Sequence, residues 1–186
     1  MQFQYCSPGM LLANFLSQEE QTNSLVLVTG KRGAGKTSWC LELSRLARLW
    51  RLQPVGLLSP PVFQDGRKVS IDLLNIATGE RRRLAERRNG DRADERPAMQ
   101  TANWHFDIEV LSWGNRILEQ IHDSELLILD ELGPLELLDE KGLMAGTKSV
   151  DARRYRLGCI VVRPSLLQAA CERWSWGEVM YLGERE

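Results

Sequence analysis

At 186 residues, with 43% hydrophobic and 26% charged residues and a formal net charge of −1, the chain has the makeup of one soluble globular domain. That balance gives no overall pull toward nucleic acid or an anionic membrane, so a generally basic nucleic-acid binder is excluded. Cys6, Cys40, Cys159 and Cys171 show no CxxC spacing and imply no metal cluster; the two inside apolar segments suit buried thiols of a reducing compartment.

The first 22 residues form an extension ahead of the first expected strand. They lack a basic region followed by an apolar run of signal length, and no segment reaches the roughly 18 apolar residues of a membrane span, so a cytoplasmic protein is expected. Leu25 to Thr29 is a continuous apolar and β-branched run closed by glycine, the pattern of a strand buried on both faces. Trp39, Leu43, Leu46 and Trp50 then recur at helical spacing, with Glu42, Arg45 and Arg48 on another face. The order is strand, glycine-rich loop, helix.

From Val55 to Leu84 short β-like runs are broken by Asp65-Gly66 and Thr78-Gly79, and Asp-Gly between such runs predicts a hairpin. Residues 79–100, "GERRRLAERRNGDRADERPAMQ" to their end, are rich in arginine and acid and are expected to form a solvated, mobile loop. Val110, Gly114, Ile117 and Ile121 mark a helix, "SELLILDELGP" a second buried strand, and residues 139–153 a weakly periodic helix. "LGCIVV" is a third buried strand, after which Ser165-x-x-Gln168 reads as a capping box opening a last helix. The tryptophans are assigned to packing, and His105 and His122, which have no ligand-spaced partners, to structure. Apolar strands alternating with amphipathic helices predict an α/β fold with a mainly parallel central sheet flanked by helices, and the hairpin adds an antiparallel insertion.

Gly30-x-x-x-x-Gly35-Lys36-Thr37 satisfies the P-loop pattern in the right setting, after a strand and before a helix. The whole loop, Gly30, Lys31, Arg32, Gly33, Ala34, Gly35, Lys36, Thr37 and Ser38, is the candidate nucleotide-binding segment. Its backbone N–H groups can wrap a phosphate only where no Cβ obstructs them, and the helix N-terminus adds a favourable field for anions. Lys36 is placed to neutralise the β- and γ-phosphates, and the Thr37 hydroxyl to ligate Mg²⁺. The strand ending in Asp130 brings a second metal-ligating oxygen to the same sheet edge. Glu131 can orient or deprotonate a water attacking the γ-phosphate, and Arg163, after the third strand, can add positive charge to the transition state.

The succession of the glycine-rich loop, "GLLSPPVFQDGRKVSIDLLNIATGERRRLA", "LDELGPLEL" and "IVVRPSLL" resembles the small P-loop nucleoside-triphosphatases best known from thermophiles, which also have animal members. Asp130, Glu131, Gly133, Pro134 and Glu136 match that family's motif after the second buried strand. The resemblance implies the P-loop NTPase fold and hydrolysis of ATP, GTP and other nucleoside triphosphates to diphosphates with Mg²⁺ and loose base selection. Two alternatives stand beside it: a nucleotide or small-molecule kinase using the arginine-rich segment as a lid, and an ATPase module that energises a partner protein.

Overall fold

The computed structural model describes residues 2–3, 6–18, 23–88, 98–100, 103–130 and 132–183. In chain order the elements are β1 (Gln2–Phe3), α1 (Pro8–Ser17), β2 (Ser24–Thr29), α2 (Lys36–Leu49), β3 (Pro54–Leu58), β4 (Pro61–Gln64), β5 (Arg67–Asn75), β6 (Arg81–Arg87), β7 (Ala98–Gln100), β8 (Trp104–Asp107), α3 (Ile108–Glu119), β9 (Ser124–Leu129), α4 (Pro134–Leu137), α5 (Met144–Asp151), β10 (Tyr155–Val161), α6 (Leu167–Arg173) and β11 (Glu178–Tyr181).

These strands join in one sheet of order β1-β11-β2-β10-β9-β3-β5-β6-β8-β7, with β4 paired to β5. The run from β1 to β3 is parallel, and β5, β6, β8 and β7 continue it antiparallel. Helices cover both faces of the parallel part, which is why its strands are apolar at every position rather than at every second one. In β2, Leu25 and Leu27 enter one core with Trp113 of α3 and Val150 of α5, while Val26 and Val28 enter the other with Leu12 of α1 and Leu43 of α2. This is the expected α/β architecture, a parallel central sheet flanked by helices and extended by antiparallel strands.

The insertion is larger than a hairpin. The Asp65-Gly66 turn is there, with φ of 48° and 72°, joining β4 to β5. The arginine-rich segment differs from the expected loop in its first part, where residues 81–87 form β6, paired with both β5 and β8. Leu84 and Ala85 are buried in the core and Arg81, Arg82 and Arg83 stay exposed, so two apolar residues anchor a strand that composition alone reads as solvated. Residues 89–97 of that segment lie outside the described residues, and its last three, Ala98–Gln100, differ from the expected loop as well, forming β7 paired with β8.

The described residues ahead of β2, 2–3 and 6–18, are built into the fold. Gln2 and Phe3 pair with Val179 and Met180 of β11, α1 packs on α2, and the Trp39 indole N–H donates to the Cys6 carbonyl at 3.1 Å. The last helix departs from the expected capping box. Pro164 opens a 3-10 turn, Pro164–Leu166, so Ser165 lies inside the turn instead of before it, and the Gln168 side chain donates to Glu172 at 3.0 Å. The expected helix over 139–153 is shortened to α5, preceded by the single turn of α4. Asp107 caps α3 by accepting from the N–H groups of Glu109 and Val110.

Candidate active site

Parallel pairing brings strand ends to one edge. Val162 N–H donates to the Val28 carbonyl at 2.9 Å and Asp130 N–H to the Leu57 carbonyl at 3.0 Å, so the carboxyl ends of β2, β10, β9 and β3 lie side by side. Residues following those ends are therefore neighbours: the loop from Gly30, then Arg163, then Asp130, then Ser59. Ligands of open α/β sheets bind at this kind of carboxyl edge.

The loop's glycines have different reasons. Gly33 and Gly35 have φ of 86° and 82°, where other residues are strained, and a Cβ on either would meet nothing within 4 Å. Gly30 has φ of 152°, and a Cβ there would come 2.3 Å from the Leu182 carbonyl oxygen, because the chain leaving β11 runs against the loop. Its glycine is set by tertiary packing. Ala34 N–H donates to the Lys31 carbonyl at 3.1 Å, making the turn, and Gly35 is the N-cap of α2.

Lys36 folds back over the loop, its Nζ donating to the carbonyls of Gly30 at 2.7 Å and Lys31 at 2.9 Å. Thr37 is half-buried at the start of α2, whereas Lys31, Arg32 and Ser38 are exposed. Asp130 is 3% exposed; its Oδ2 accepts from Ser59 N–H at 3.4 Å, and the Ser59 hydroxyl donates to its main-chain carbonyl at 3.4 Å. Burial, and after it the charge of Asp130, push the Cys40 thiol well up, so Asp130 acts on α2 one turn beyond Lys36. Arg163 is exposed at the end of β10. Glu131 lies outside the described residues.

The turn after Asp130 is held by a residue that the sequence marked only as part of a motif. Glu136 is 5% exposed, and its carboxylate accepts from the N–H groups of Gly133 and Leu143, both at 2.8 Å. Gly142, with φ of 75°, lets the chain pass: a Cβ there would sit 2.2 Å from Glu136 Oε1. Burial pushes the Glu136 carboxyl up, against a downward pull from the Leu143 and Gly133 N–H groups and the charge of Arg163. A folded value above the unfolded one means that this group's stabilisation is full below the ordinary glutamate value of about 4.3 and is lost as pH rises through the folded value. Glu136→Gln, which cannot ionise, should therefore gain on the parent as pH rises from about 4.3 through the folded value, and the difference should level off above it; urea titrations at several pH values check this, and a pH-independent difference would contradict it. Glu136→Ala should lose about 1–3 kcal/mol at neutral pH, since two buried N–H groups lose their acceptor.

The sequence does not single out Ser59, which stands in the β-like runs from Val55 to Leu84. Its contact with Asp130 comes from the pairing of β3 with β9, between segments that are far apart in sequence.

A sequence model of a family described as NTPase matches residues 25–163, more than half of the chain. The chain is similar to nucleoside-triphosphatase THEP1 of Caldivirga maquilingensis, 27% identical over 130 residues that cover 70% of each chain. It is similar to the proteins of the same name from Archaeoglobus fulgidus, at 30% identity over 62% of this chain and 64% of that one, and Thermofilum pendens, at 27% identity over 75% and 74%. In structure it resembles a human cancer-related nucleoside triphosphatase with a TM-score of 0.63 at 19% identity, over 87% of this chain and 90% of that one.

Proposed function

The chain belongs to the NTPase family, and we propose that it hydrolyses nucleoside triphosphates, ATP and GTP among them, to nucleoside diphosphate and phosphate with Mg²⁺. The observation that carries this reading is the convergence of β2, β10 and β9 on one edge, with the glycine-rich loop, Arg163 and a buried Asp130 following their ends.

In this reading the N–H groups of the loop from Gly30 to Ser38 hold the phosphates, helped by the field at the start of α2. Lys36, already drawn over the loop by two carbonyls, neutralises phosphate charge. The donors for a metal are the Thr37 hydroxyl and the Asp130 carboxylate, hard oxygens of the kind Mg²⁺ takes. Among the described residues no cluster of three or more His, Cys, Asp or Glu side chains could cage an ion, which suits a cation held by few protein oxygens plus phosphates. Bound there, Mg²⁺ would neutralise charge developing on the phosphate oxygens. Glu131 orients the attacking water and takes its proton, and Arg163 adds positive charge at the edge. The nucleoside triphosphate is the partner this site serves; among the described residues no helix is long and apolar enough to cross a membrane.

No segment carries a recognisable base-reading element, so ATP, GTP, CTP and UTP should be turned over within about tenfold of one another, equivalent to about 1.4 kcal/mol. Phosphate release across the four nucleotides, with and without Mg²⁺, tests the proposal. A hundredfold preference for one base would contradict loose selection, and equal rates without the metal would contradict its role.

A further inference from the structure

Asp72 of β5 is 8% exposed and is shared by two arginines of β6. Arg81 Nε lies 3.0 Å from Oδ2 and Arg83 Nε 2.7 Å from Oδ1, while half of each arginine side chain is open to solvent. One carboxylate thus orders two guanidiniums side by side. Glu86, itself 58% exposed, is the next acid, at 3.5 Å from Arg83. Arg82, between the pair, takes no part: it stacks on Trp113 at 4.5 Å and pairs with Glu80 at 2.7 Å.

The position of this cluster is what gives it meaning. β5 runs antiparallel to β3 with Leu74 opposite Leu58, so residues 67–73 continue past the carboxyl end of β3. Asp72 N–H donates to the Pro60 carbonyl at 3.1 Å, and Pro60 follows Ser59, which contacts Asp130. Asp72 alternates with Ile71 and Leu73, which enter the α3 core, and shares a face with Leu74, which packs on the α2 side. The two guanidiniums therefore occupy the same edge and the same face of the sheet as the start of α2, with β10, β9, β3 and β5 lying between β6 and β2. The neighbouring position on that face, Ser70, is 1% exposed, and its hydroxyl has no hydrogen-bond partner among the described residues.

We propose that Arg81 and Arg83, ordered by Asp72, form a phosphate-binding subsite on the Ser59–Asp130 side of the candidate site, taking a phosphoryl oxyanion either of the nucleotide itself or of a separate phosphorylated molecule. Guanidinium forks match phosphate oxygens in pairs, and an acid that fixes both forks beforehand removes part of the ordering cost. The proposal rests on the proposed function for what lies next to the subsite, while its own test needs no turnover.

Calorimetry on the parent and on an Arg81→Gln/Arg83→Gln variant reads two affinities: that of a non-hydrolysable nucleoside triphosphate, and that of inorganic phosphate, titrated both alone and into protein saturated with the Mg²⁺ analogue. At least a tenfold weakening of the first assigns the subsite to the nucleotide's own phosphates. The same loss in the second, with nucleotide affinity kept, assigns it to a separate phosphorylated molecule. Both affinities unchanged in a variant whose melting temperature matches the parent would overturn the proposal and leave the triad a surface ion pair. Should the double variant fail to fold, the single variants, each of which keeps one arginine on Asp72, are read in the same way. Loss of the proposed nucleotide site itself would appear in a Lys36 variant that keeps full triphosphate affinity, and the phosphate titration without nucleotide would still decide the subsite.

Discussion

Glu131→Gln should leave Mg²⁺-nucleotide affinity intact and lower turnover by about 10²–10⁴, the usual contribution of a positioned general base. The amide keeps the size and the neutral hydrogen bonding of the side chain and removes its capacity to take a proton. Its neighbour should behave differently. Asp130→Asn should lose metal-dependent affinity as well as rate, because in the proposed mechanism this buried carboxylate serves the cation. If Glu131 served only to cap a helix, its replacement would instead cost about 1 kcal/mol of stability with hydrolysis nearly intact. Melting temperature, nucleotide affinity and phosphate release on the two variants separate these outcomes, and a Glu131→Gln protein hydrolysing at the parent rate would end this mechanism.

Lys36→Ala should weaken a non-hydrolysable triphosphate by about ten- to a hundredfold, the equivalent of about 1.5–3 kcal/mol for charge-assisted hydrogen bonds. Turnover should fall further, by about 10²–10³ beyond the binding loss, since in the proposed mechanism the same ammonium faces the charge that develops in the transition state. The bonds from Nζ to the Gly30 and Lys31 carbonyls are also removed, so the loop itself loses a clasp. Calorimetry with the analogue and single-turnover phosphate release distinguish the two losses. Unchanged affinity would refute the assignment of the loop to phosphates.

The parallel part of the fold was legible because burial on both faces leaves a local mark. Leu25 to Thr29, "SELLIL" and "LGCIVV" are apolar at consecutive positions, which only strands covered on both sides can be. The Asp65-Gly66 turn was legible for a similar reason, since positive φ at both positions is a property of the dipeptide. β6 was not. Its stability comes from Leu84 and Ala85 meeting a core made by other strands, and from Asp72 pairing with Arg81 and Arg83, which lie close in sequence but meet only once β5 and β6 pair in this register. The Ser165 capping box failed because Pro164 starts the turn one residue early, a competition that the spacing of Ser165 and Gln168 does not report.

At the candidate site the sequence by itself determined the chemistry on offer: the glycine-rich loop with Lys36 and Thr37, the acids Asp130 and Glu131, and Arg163 after a buried strand. Those choices are local, fixed by what a backbone turn, an ammonium or a carboxylate can do wherever it stands. The tertiary structure alone decided which of them share an edge, through the insertion of β10 between β2 and β9. It also decided that Gly30 is required by the Leu182 carbonyl, that Ser59 touches Asp130, and that Glu136 binds the turn behind it. Each of these is a contact between segments brought together by strand pairing and burial, whose energies depend on distance in space and leave no periodic signal along the chain.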